Sequence, residues 1–366
     1  MSYSSYSDYL KYKNCKRDTI PCHNNFESYS KYNRSLDCCR AWWTNDDARK
    51  QNAINLCNCS VPVLTVNDNV ISFTENNKEI YFLLETDNLN NILIDKFNYN
   101  IVVDHSINLT SDIIIPENTI LYITDNGEII ANAHKIINQG EIINNGLISF
   151  NGEFDNNLAP IYLDSHILHN DVCGKIIIEN IHKRGTGIQN KHILTNKGLI
   201  KIHNVSVGGF CIKNENLYVS QHSNITLQNN GNINLYDIQG GQGIYLSPAS
   251  TLNNYKLIII TNIQNNAQGI LVNGTLLNNK EGHILIQNVK TSFGIYIQTL
   301  LGGKSAKFYN LNIIELKNLQ LDAKLDYYGI YNKDTFLPQD AQSGKIYVFD
   351  CSPLNNKCSG MGRACV

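Results

Sequence analysis

Residues 258–263 read Ile-Ile-Ile-Thr-Asn-Ile, and this order of residue types decides the fold. Hydrophobic residues occupy its first, third and sixth positions, and Asn occupies its fifth. The same phrase occurs six times between residues 176 and 319. Its copies are Ile176-Ile178-Asn180-Ile181, Ile200-Ile202-Asn204-Val205, Ile233-Leu235-Asp237-Ile238, Ile258-Ile260-Asn262-Ile263, Ile284-Ile286-Asn288-Val289 and Ile314-Leu316-Asn318-Leu319. Six copies of one phrase predict a repeat protein.

The spacing of the copies indicates a solenoid. Their Asn or Asp positions lie 24, 33, 25, 26 and 30 residues apart. A period in this range is typical of structures in which each repeat forms one coil, and we interpret the longer steps as loop insertions. No helical period lies between the copies, which argues against a sheet built from βαβ units.

Within each copy, alternation of hydrophobic and polar residues predicts a β-strand of about three to five residues. The Asn or Asp that follows tolerates the left-handed backbone region and can bond to the equivalent residue one coil away. We therefore predict a structural ladder of turn residues along the stack. Its members are Asn180, Asn204, Asp237, Asn262, Asn288 and Asn318.

A Gly-hydrophobic pair follows most of these positions. The pairs are Gly187-Ile188, Gly209-Phe210, Gly243-Ile244, Gly269-Ile270, Gly294-Ile295 and Gly329-Ile330. Because Gly readily adopts positive φ, we expect it to form a tight corner in each coil. Upstream, Asn138, Asn144 and Asn151 separate Ile-rich triplets about six residues apart, and this spacing predicts successive sides of the first coils.

Two resemblances follow from these residues. The Ile-Pro-x-Asn-Thr-x-Leu-x-Ile stretch within residues 114–123, followed by Ile-x-Asn-x-Gly repeats, resembles the opening of parallel β-helix adhesins and other pectin-lyase-like solenoids. This resemblance covers residues 101–348. The 54 Asn and 48 Ile, with a Tyr-rich, Cys-bearing leader, resemble repeat-rich proteins of mimivirus-like giant viruses. An AT-rich genome would also produce that bias. The viral resemblance implies a virion-surface or fibril component.

The expected fold is all-β: a single-stranded right-handed parallel β-helix with a small module at each end. Coils of 24 to 26 residues favour the right-handed form over the left-handed hexapeptide form. We expect a Cys- and Tyr-rich, partly helical module at residues 1–60, with a helix from Asn45 to Leu56, and a β-rich lead-in at 61–100. The β-helix then covers residues 101–348, and a Cys-containing tail covers 349–366.

Nine of the eleven Cys residues lie outside the repeat. These candidate disulfide residues are Cys15, Cys22, Cys38, Cys39, Cys57, Cys59, Cys351, Cys358 and Cys365. Small modules without a sufficient core need such bonds, although free thiols and a zinc site remain alternatives. Trp42 and Trp43 either fill the core of the N-terminal module or contact a glycan or a partner protein.

The formal net charge is −2, with 30 Lys and Arg against 32 Asp and Glu. This balance argues against nucleic acid as the partner. No run of eighteen apolar residues predicts a membrane span, and residues 1–8 lack the features of a signal peptide. We expect synthesis in a host cytoplasm and a final place on the virion surface, with a purely cytoplasmic location as the alternative.

No catalytic constellation is recognised, and neither a cofactor nor a metal site is predicted. The acidic residues do not recur at equivalent positions of neighbouring coils, as paired carboxylates of a glycosidase would. The best fragment is Asp164-Ser165-His166, with His169 and Asp171 nearby and His182-Lys183-Arg184 beyond, and a surface loop explains it.

Two hypotheses remain. The first is a non-enzymatic structural or adhesive surface protein that presents a rigid β-helical rod. Its expected partners are copies of itself, with a trimer as one form, other virion proteins, or a glycan. The trimer would cover the flank that includes Tyr245, Leu246, Tyr296 and Ile297. The second is a polysaccharide-active β-helix enzyme, either a glycoside hydrolase or a lyase of the tailspike type.

Overall fold

The computed structural model describes residues 66–67, 70–75, 78–96, 99–154, 159–215, 225–290, 292–298, 306–320, 330–332 and 345–351. The predicted helix from Asn45 to Leu56, the pair Trp42 and Trp43, and the whole module at 1–60 lie outside these residues. Of the described residues, 66–84 and 96–102 belong to one compact unit, and 85–95 and 103–351 belong to a second.

The described residues of the first unit contain four strands. They are β1 (Val66–Asn67), β2 (Val70–Glu75), β3 (Lys78–Phe82) and β4 (Tyr99–Val103), of which Val103 belongs to the second unit. The pairs β1–β2 and β2–β3 are antiparallel, and β3–β4 is parallel.

Among its described residues, the second unit contains one short helix and 27 further strands. The helix α1 spans Leu89–Asp95. The strands are β5 (Ser106–Asn108), β6 (Ile113–Ile115), β7 (Ile120–Ile123), β8 (Glu128–Ile130), β9 (Ile136–Asn138), β10 (Glu141–Asn144), β11 (Leu147–Phe154), β12 (Ile161–Leu163), β13 (Ile167–Asn170), β14 (Lys175–Ile181), β15 (Thr186–Asn190), β16 (Ile193–Asn196), β17 (Leu199–Val205), β18 (Phe210–Asn214), β19 (Ile225–Asn229), β20 (Asn232–Gln239), β21 (Gln242–Leu246), β22 (Ser250–Asn254), β23 (Leu257–Gln264), β24 (Gln268–Val272), β25 (Thr275–Asn278), β26 (His283–Lys290), β27 (Phe293–Ile297), β28 (Lys307–Asn310), β29 (Ile313–Gln320), β30 (Ile330–Asn332) and β31 (Lys345–Cys351).

Helix α1 was not predicted from the sequence. The side-chain oxygen of Asn88 accepts a hydrogen bond from the backbone N–H of Asn91 at 3.2 Å, as an N-cap residue does. Leu89 and Leu93 are four residues apart, so they lie on the same helix face, and both are buried. Only this short apolar face marks the helix in the sequence.

The strands of the second unit form three parallel sheets. Sheet A runs β7-β10-β13-β16-β19-β22-β25-β28, sheet B runs β5-β8-β11-β14-β17-β20-β23-β26-β29-β31, and sheet C runs β6-β9-β12-β15-β18-β21-β24-β27-β30. Neighbouring strands pair in parallel with equivalent residues aligned, as in Ile233↔Ile258 and Ile258↔Ile284. From β7 to β30 the chain visits sheets A, B and C in turn. The unit is therefore a parallel β-solenoid of the β-helix type, as the repeats predicted.

The core consists of columns of stacked side chains. One column in sheet B contains Ile129, Ile148, Ile176, Ile200, Ile233, Ile258, Ile284 and Ile314, and every member is fully buried. Burying one such side chain contributes about 1.5–3 kcal/mol before the entropy of ordering the chain is subtracted. Identical branched side chains in register fill the interior without changing its width, which explains the high Ile content of the repeats.

Asn262 shows how the third hydrophobic position of a copy also faces the core. Ile258 and Ile260 point inward, and simple alternation would turn Ile263 outward. Asn262 instead has φ 57°, in the left-handed region, and Ile263 is fully buried. Pairing with the next coil continues at Ile263↔Val289. One left-handed residue therefore reverses the phase of the strand.

The expectation of positive φ at the Gly-hydrophobic pairs is wrong. None of the described Gly residues of these pairs has positive φ; they are Gly187, Gly209, Gly243, Gly269 and Gly294. Positive φ occurs instead at Gly208 and Gly240, which are not members of the pairs, with values of 75° and 70°. A Cβ on Gly243 would lie 2.4 Å from the carbonyl oxygen of Gly269, and a Cβ on Gly269 would lie 2.5 Å from that of Gly294. These pairs need Gly because the backbones of adjacent coils approach closely.

The strands of the six copies span seven or eight residues, longer than the predicted three to five, because pairing continues past the left-handed residue. The strands upstream lie where the sequence predicts them. Asn138 and Asn144 end β9 and β10, and Asn151 lies within β11, so the Ile-rich triplets do form successive sides of coils. The segment from Lys345 forms β31 and pairs with β29 in sheet B. The two longest steps of the repeat contain residues 216–224 and 299–305, which lie outside the described residues.

Candidate functional site

The six predicted ladder residues lie near the ends of the sheet B strands. Asn180, Asn204, Asp237, Asn262, Asn288 and Asn318 have φ between 52° and 62°. We call these six residues the turn ladder. The Nδ2 of Asn318 donates to Oδ1 of Asn288 at 2.8 Å, and the Nδ2 of Asn288 donates to Oδ1 of Asn262 at 2.9 Å. Each amide thus bonds to the preceding coil.

Asp237 interrupts this series of hydrogen bonds. Its Oδ1 accepts from Nδ2 of Asn262 at 2.8 Å. An ionised carboxylate has no hydrogen to donate, so Asp237 cannot bond to Oδ1 of Asn204 in the way that an amide would. The series of hydrogen bonds continues in the coils that precede Asp237 in the chain. There, Asn204 donates to Asn180 at 3.0 Å and Asn180 donates to Asn151 at 3.2 Å.

A second column of Asn, at the corner between sheets A and B, was not singled out from the sequence. Its members are Asn144, Asn170, Asn196, Asn229, Asn254, Asn278 and Asn310, and all are fully buried. We call it the buried column. The Nδ2 of each Asn donates to Oδ1 of the next at 2.7–2.8 Å. A partial signal exists in Asn-x-Gly, as at Asn144, Asn196 and Asn229.

Most of the cysteine and tryptophan residues singled out from the sequence lie outside the described part of the chain. Cys351 ends β31, and the other eight candidate disulfide residues, with Trp42 and Trp43, lie outside the described residues. Cys211 lies inside the solenoid as a fully buried free thiol, and burial raises its pKa well above the usual range. A buried thiol of this kind packs as a small hydrophobic side chain rather than reacting as a nucleophile.

The outer face of sheet B brings together four titratable side chains from three adjacent coils. Register pairs align Glu179 with His203 and His203 with Tyr236. His203 Nε2 lies 2.7 Å from Glu179 Oε1. The two groups are not aligned for a hydrogen bond, so the contact is one of proximity alone. The rings of His203 and Tyr236 stack with centroids 4.8 Å apart. A hydrogen bond with Tyr236 raises the pKa of Lys201. We call Glu179, Lys201, His203 and Tyr236 the sheet B cluster.

The fragment around Asp164 contributes to a different corner. Lys191 Nζ donates to the Tyr162 hydroxyl and lies 4.0 Å from Asp164 Oδ1. The His166 ring lies 6.4 Å from that of His192. Burial, with the neighbouring His166, lowers the pKa of His192. These contacts are those of a half-buried polar corner.

His169 and Asp171 belong to the next side of the same coil. His169 Nε2 lies 3.6 Å from Glu141 Oε1, and Asp171 Oδ1 lies 3.4 Å from Lys197 Nζ. Burial, and then the charge of Lys197, lowers the pKa of His169. The structure therefore pairs His169 with an acid from the previous coil and does not bring it against His166 as a metal pair.

No register pair of the described strands places two carboxylates directly opposite each other. In the sheet registers, Glu179 is opposite Asn151 and His203, and Glu315 is opposite Leu285 and Tyr347. A retaining or inverting glycosidase needs two carboxyl groups within about 10 Å of each other. In the same part of the chain, no group of three or more His, Cys, Asp or Glu side chains could hold a metal ion.

No family model, curated protein or solved structure matches this chain. Within the described ranges, the structure also contains no helix long and apolar enough to cross a membrane.

Proposed function

We propose that this chain is a non-enzymatic structural or adhesive surface protein. In this proposal the β-solenoid is a rigid scaffold that displays its outer faces for attachment or assembly. The proposed location of the protein is the surface of a virion, where it would be a fibril component or an attachment protein. The alternative location is the cytoplasm.

The buried column is the observation that supports this proposal most strongly. Seven Asn side chains connect successive coils from β10 to β28, and each is fully buried. The amides also bond to the backbone, as Asn229 Nδ2 does with the Leu257 carbonyl oxygen at 3.2 Å. Buried polar groups that are fully hydrogen-bonded make a structure rigid and specific. Such a column supports a scaffold role, because its polar groups hold coils together rather than face a substrate.

The proposal also includes the right-handed winding, the pectin-lyase-like or adhesin class and the giant-virus source. The coil length of 24 to 26 residues supports the winding, and the 54 Asn and 48 Ile support the source. The disulfides of the terminal modules belong to the same proposal, because a particle surface exposes small modules to oxidation.

Association with further copies as a trimer is a second part of the proposal. Of the four residues expected on the contact flank, Leu246 and Ile297 are buried in the core, whereas Tyr245 and Tyr296 lie on the outer face of sheet C. Static light scattering on the purified full chain tests the trimer. A mass of 41.3 kDa at all concentrations would exclude it.

The test of the surface role uses an antibody against the purified chain. We expect gold-labelled antibody to mark intact particles of the source virus without permeabilisation. Labelling found only in host cytoplasm would contradict the surface location. In parallel, incubation with acidic and neutral polysaccharides is expected to release no reducing ends, and release would contradict the non-enzymatic role.

A polysaccharide-active enzyme is the alternative function, and the sheet B cluster favours it. Positioned His, Glu, Tyr and Lys side chains are the groups that transfer protons in such reactions. If reducing ends appear, His203→Ala should abolish their release. The matched control is His283→Ala, because His283 also lies on the outer face of sheet B, with Nε2 3.6 Å from Glu315 Oε1. Equal activity in both variants would exclude the cluster.

A further inference from the structure

The outer face of sheet C carries aromatic and amide side chains in register. One column contains Phe210, Gln242, Gln268 and Phe293, and the adjacent column contains Tyr245, Leu271 and Tyr296. All of these except Leu271 are partly exposed. We define the aromatic platform as Phe210, Gln242, Tyr245, Gln268, Phe293 and Tyr296.

The aromatic rings form two pairs separated by the glutamines. Phe210 and Tyr245 meet edge to face with centroids 5.6 Å apart, and Phe293 and Tyr296 do so at 4.9 Å. Tyr245 and Tyr296 lie two strands apart in the sheet, which corresponds to about 9.6 Å at the usual strand spacing. That distance is close to the length of a disaccharide unit in an extended sugar chain.

Several amide oxygens of this region lack a hydrogen-bond donor. Oε1 of Gln242 and Oε1 of Gln268 are covered and without a partner. Asn273, which is 2 % exposed, bonds to the Tyr245 side chain but leaves its own Oδ1 without a donor. An unsatisfied buried acceptor costs about 1–3 kcal/mol, so a ligand that supplies hydroxyl donors would be favoured here.

The charge of the surroundings indicates a neutral ligand. The platform consists of Phe, Gln and Tyr side chains, which carry no charge at neutral pH. Burial raises the pKa of Tyr245 further above its usual value. The adjacent Lys213 pairs with Glu215, with Nζ 2.8 Å from Oε2, and Gln189 also donates to that carboxylate at 3.2 Å. Lys213 Nζ also lies over the Phe210 ring, 5.2 Å from its centroid. The ion pair of Lys213 and Glu215 carries no net charge and offers no site specific for an acidic sugar.

We propose that the aromatic platform binds a neutral, linear oligosaccharide that runs along the stack of coils, and that any contact between copies uses a face other than the one that carries Tyr245 and Tyr296. The apolar faces of its sugar rings contact the aromatic pairs, and its hydroxyl groups donate to the amide oxygens of Gln242 and Gln268 once these turn outward. Aromatic side chains with a few convergent polar groups are the usual lining of such sites. This assignment rests on the proposed adhesive function and names the ligand class.

Isothermal titration calorimetry on the full chain tests the assignment with chitohexaose, cellohexaose and maltohexaose as probes. We expect at least one of them to bind, and Tyr296→Ala to weaken that binding about tenfold, as loss of one ring contact would. The matched control is Tyr309→Ala, because Tyr309 is a similarly half-buried Tyr on the outer face of sheet A. Its affinity is expected to equal that of the unaltered chain.

Gln268→Leu separates ligand binding from a structural role. Because it removes a covered acceptor without a donor, this variant should bind the probe more weakly while its thermal unfolding midpoint stays equal or rises. A parallel fall in the midpoint and in affinity would indicate that Gln268 only supports the fold.

Three results would overturn the platform as a sugar site. They are failure of all three probes to bind, equal weakening by Tyr296→Ala and Tyr309→Ala, and a change of mass in light scattering for Tyr296→Ala, which would make the platform a contact between copies. Each of these leaves the surface role to its own test, because antibody labelling of particles does not depend on any sugar.

Discussion

The buried column and the turn ladder contain the same amide side chain in two different roles. Members of the buried column are fully buried, whereas most hydrogen bonds of the turn ladder are exposed to solvent. The direction of donation also differs. In the buried column each amide donates to the next coil, and in the turn ladder each donates to the preceding coil.

Hydrogen bonds to the backbone fix the direction in which the side-chain amides of the buried column donate. Oδ1 of Asn229 accepts from the Gly231 N–H at 3.3 Å, and its Nδ2 donates to the Leu257 carbonyl oxygen at 3.2 Å. If Oδ1 and Nδ2 of Asn229 were exchanged, Nδ2 would face the N–H of Gly231 and Oδ1 would face the carbonyl oxygen of Leu257, so neither hydrogen bond could form. In the turn ladder, backbone conformation is the main requirement, because all its members have positive φ. The comparison indicates that burial makes the side-chain hydrogen bonds essential, whereas exposure leaves φ as the constraint.

The largest effect is expected from breaking the buried column with Asn229→Ala. This change leaves Oδ1 of Asn254 and the Leu257 carbonyl oxygen without their shared donor, which costs about 3 kcal/mol of unfolding free energy. Urea unfolding of the full chain measures the loss. The control is Asn253→Ala on the outer face of sheet A, where we expect a change within about 0.5 kcal/mol. Equal losses in the two variants would refute the role of the column.

A smaller effect is expected from the turn ladder with Asn288→Ala. Ala disfavours positive φ, so the variant should lose about 1–2 kcal/mol of unfolding free energy. Asn288→Gly keeps the backbone conformation and removes the same hydrogen bonds, so its loss should be clearly smaller. If Gly proves as damaging as Ala in urea unfolding, the hydrogen bonds rather than φ dominate this ladder.

Asp237→Asn should increase stability slightly. The amide of Asn at position 237 can donate to Asn204 while it still accepts from Asn262, and one restored hydrogen bond contributes about 0.5–1.5 kcal/mol. Thermal and urea unfolding measure the gain. The control Glu281→Gln removes the charge of an exposed carboxylate elsewhere and should give no gain. A gain of the same size in the control would attribute the effect to net charge.

The smallest effect concerns Cys211, whose thiol should not react in the native chain. Burial removes access and raises its pKa, so few thiolates form. Alkylation with iodoacetamide followed by mass mapping of the peptide that contains Cys211 measures this. We expect modification only under unfolding conditions, and earlier in urea for Asn229→Ala than for Asn288→Gly. Rapid native labelling would show that the coils open far more easily than the buried column implies.

The turn ladder could be located from the sequence, whereas the buried column could not. Asn262 interrupts an alternating strand at a constant place in every copy of the phrase, so its role is visible locally. Asn229 carries only the partial Asn-x-Gly signal and Asn254 lacks even that, so the sequence does not separate the buried column from the other residues among 54 Asn. The Gly-hydrophobic pairs show a related error. Gly243 was expected to have positive φ, but its constraint comes from the carbonyl oxygen of Gly269 in the next coil.

The sheet B cluster and the aromatic platform depend in the same way on register. Glu179, His203 and Tyr236 are 24 and 33 residues apart, and a shift of one residue in any coil would place one of them inside the core.

The sequence by itself determined the repeat, the strands, the inward hydrophobic positions and the left-handed turns, because each depends on residues within one coil. Only the tertiary structure decided which polar side chains meet, in which direction the amides donate, and which aromatic rings share a face. Those contacts join residues of different coils, and their partners are set by parallel stacking, which no single repeat contains.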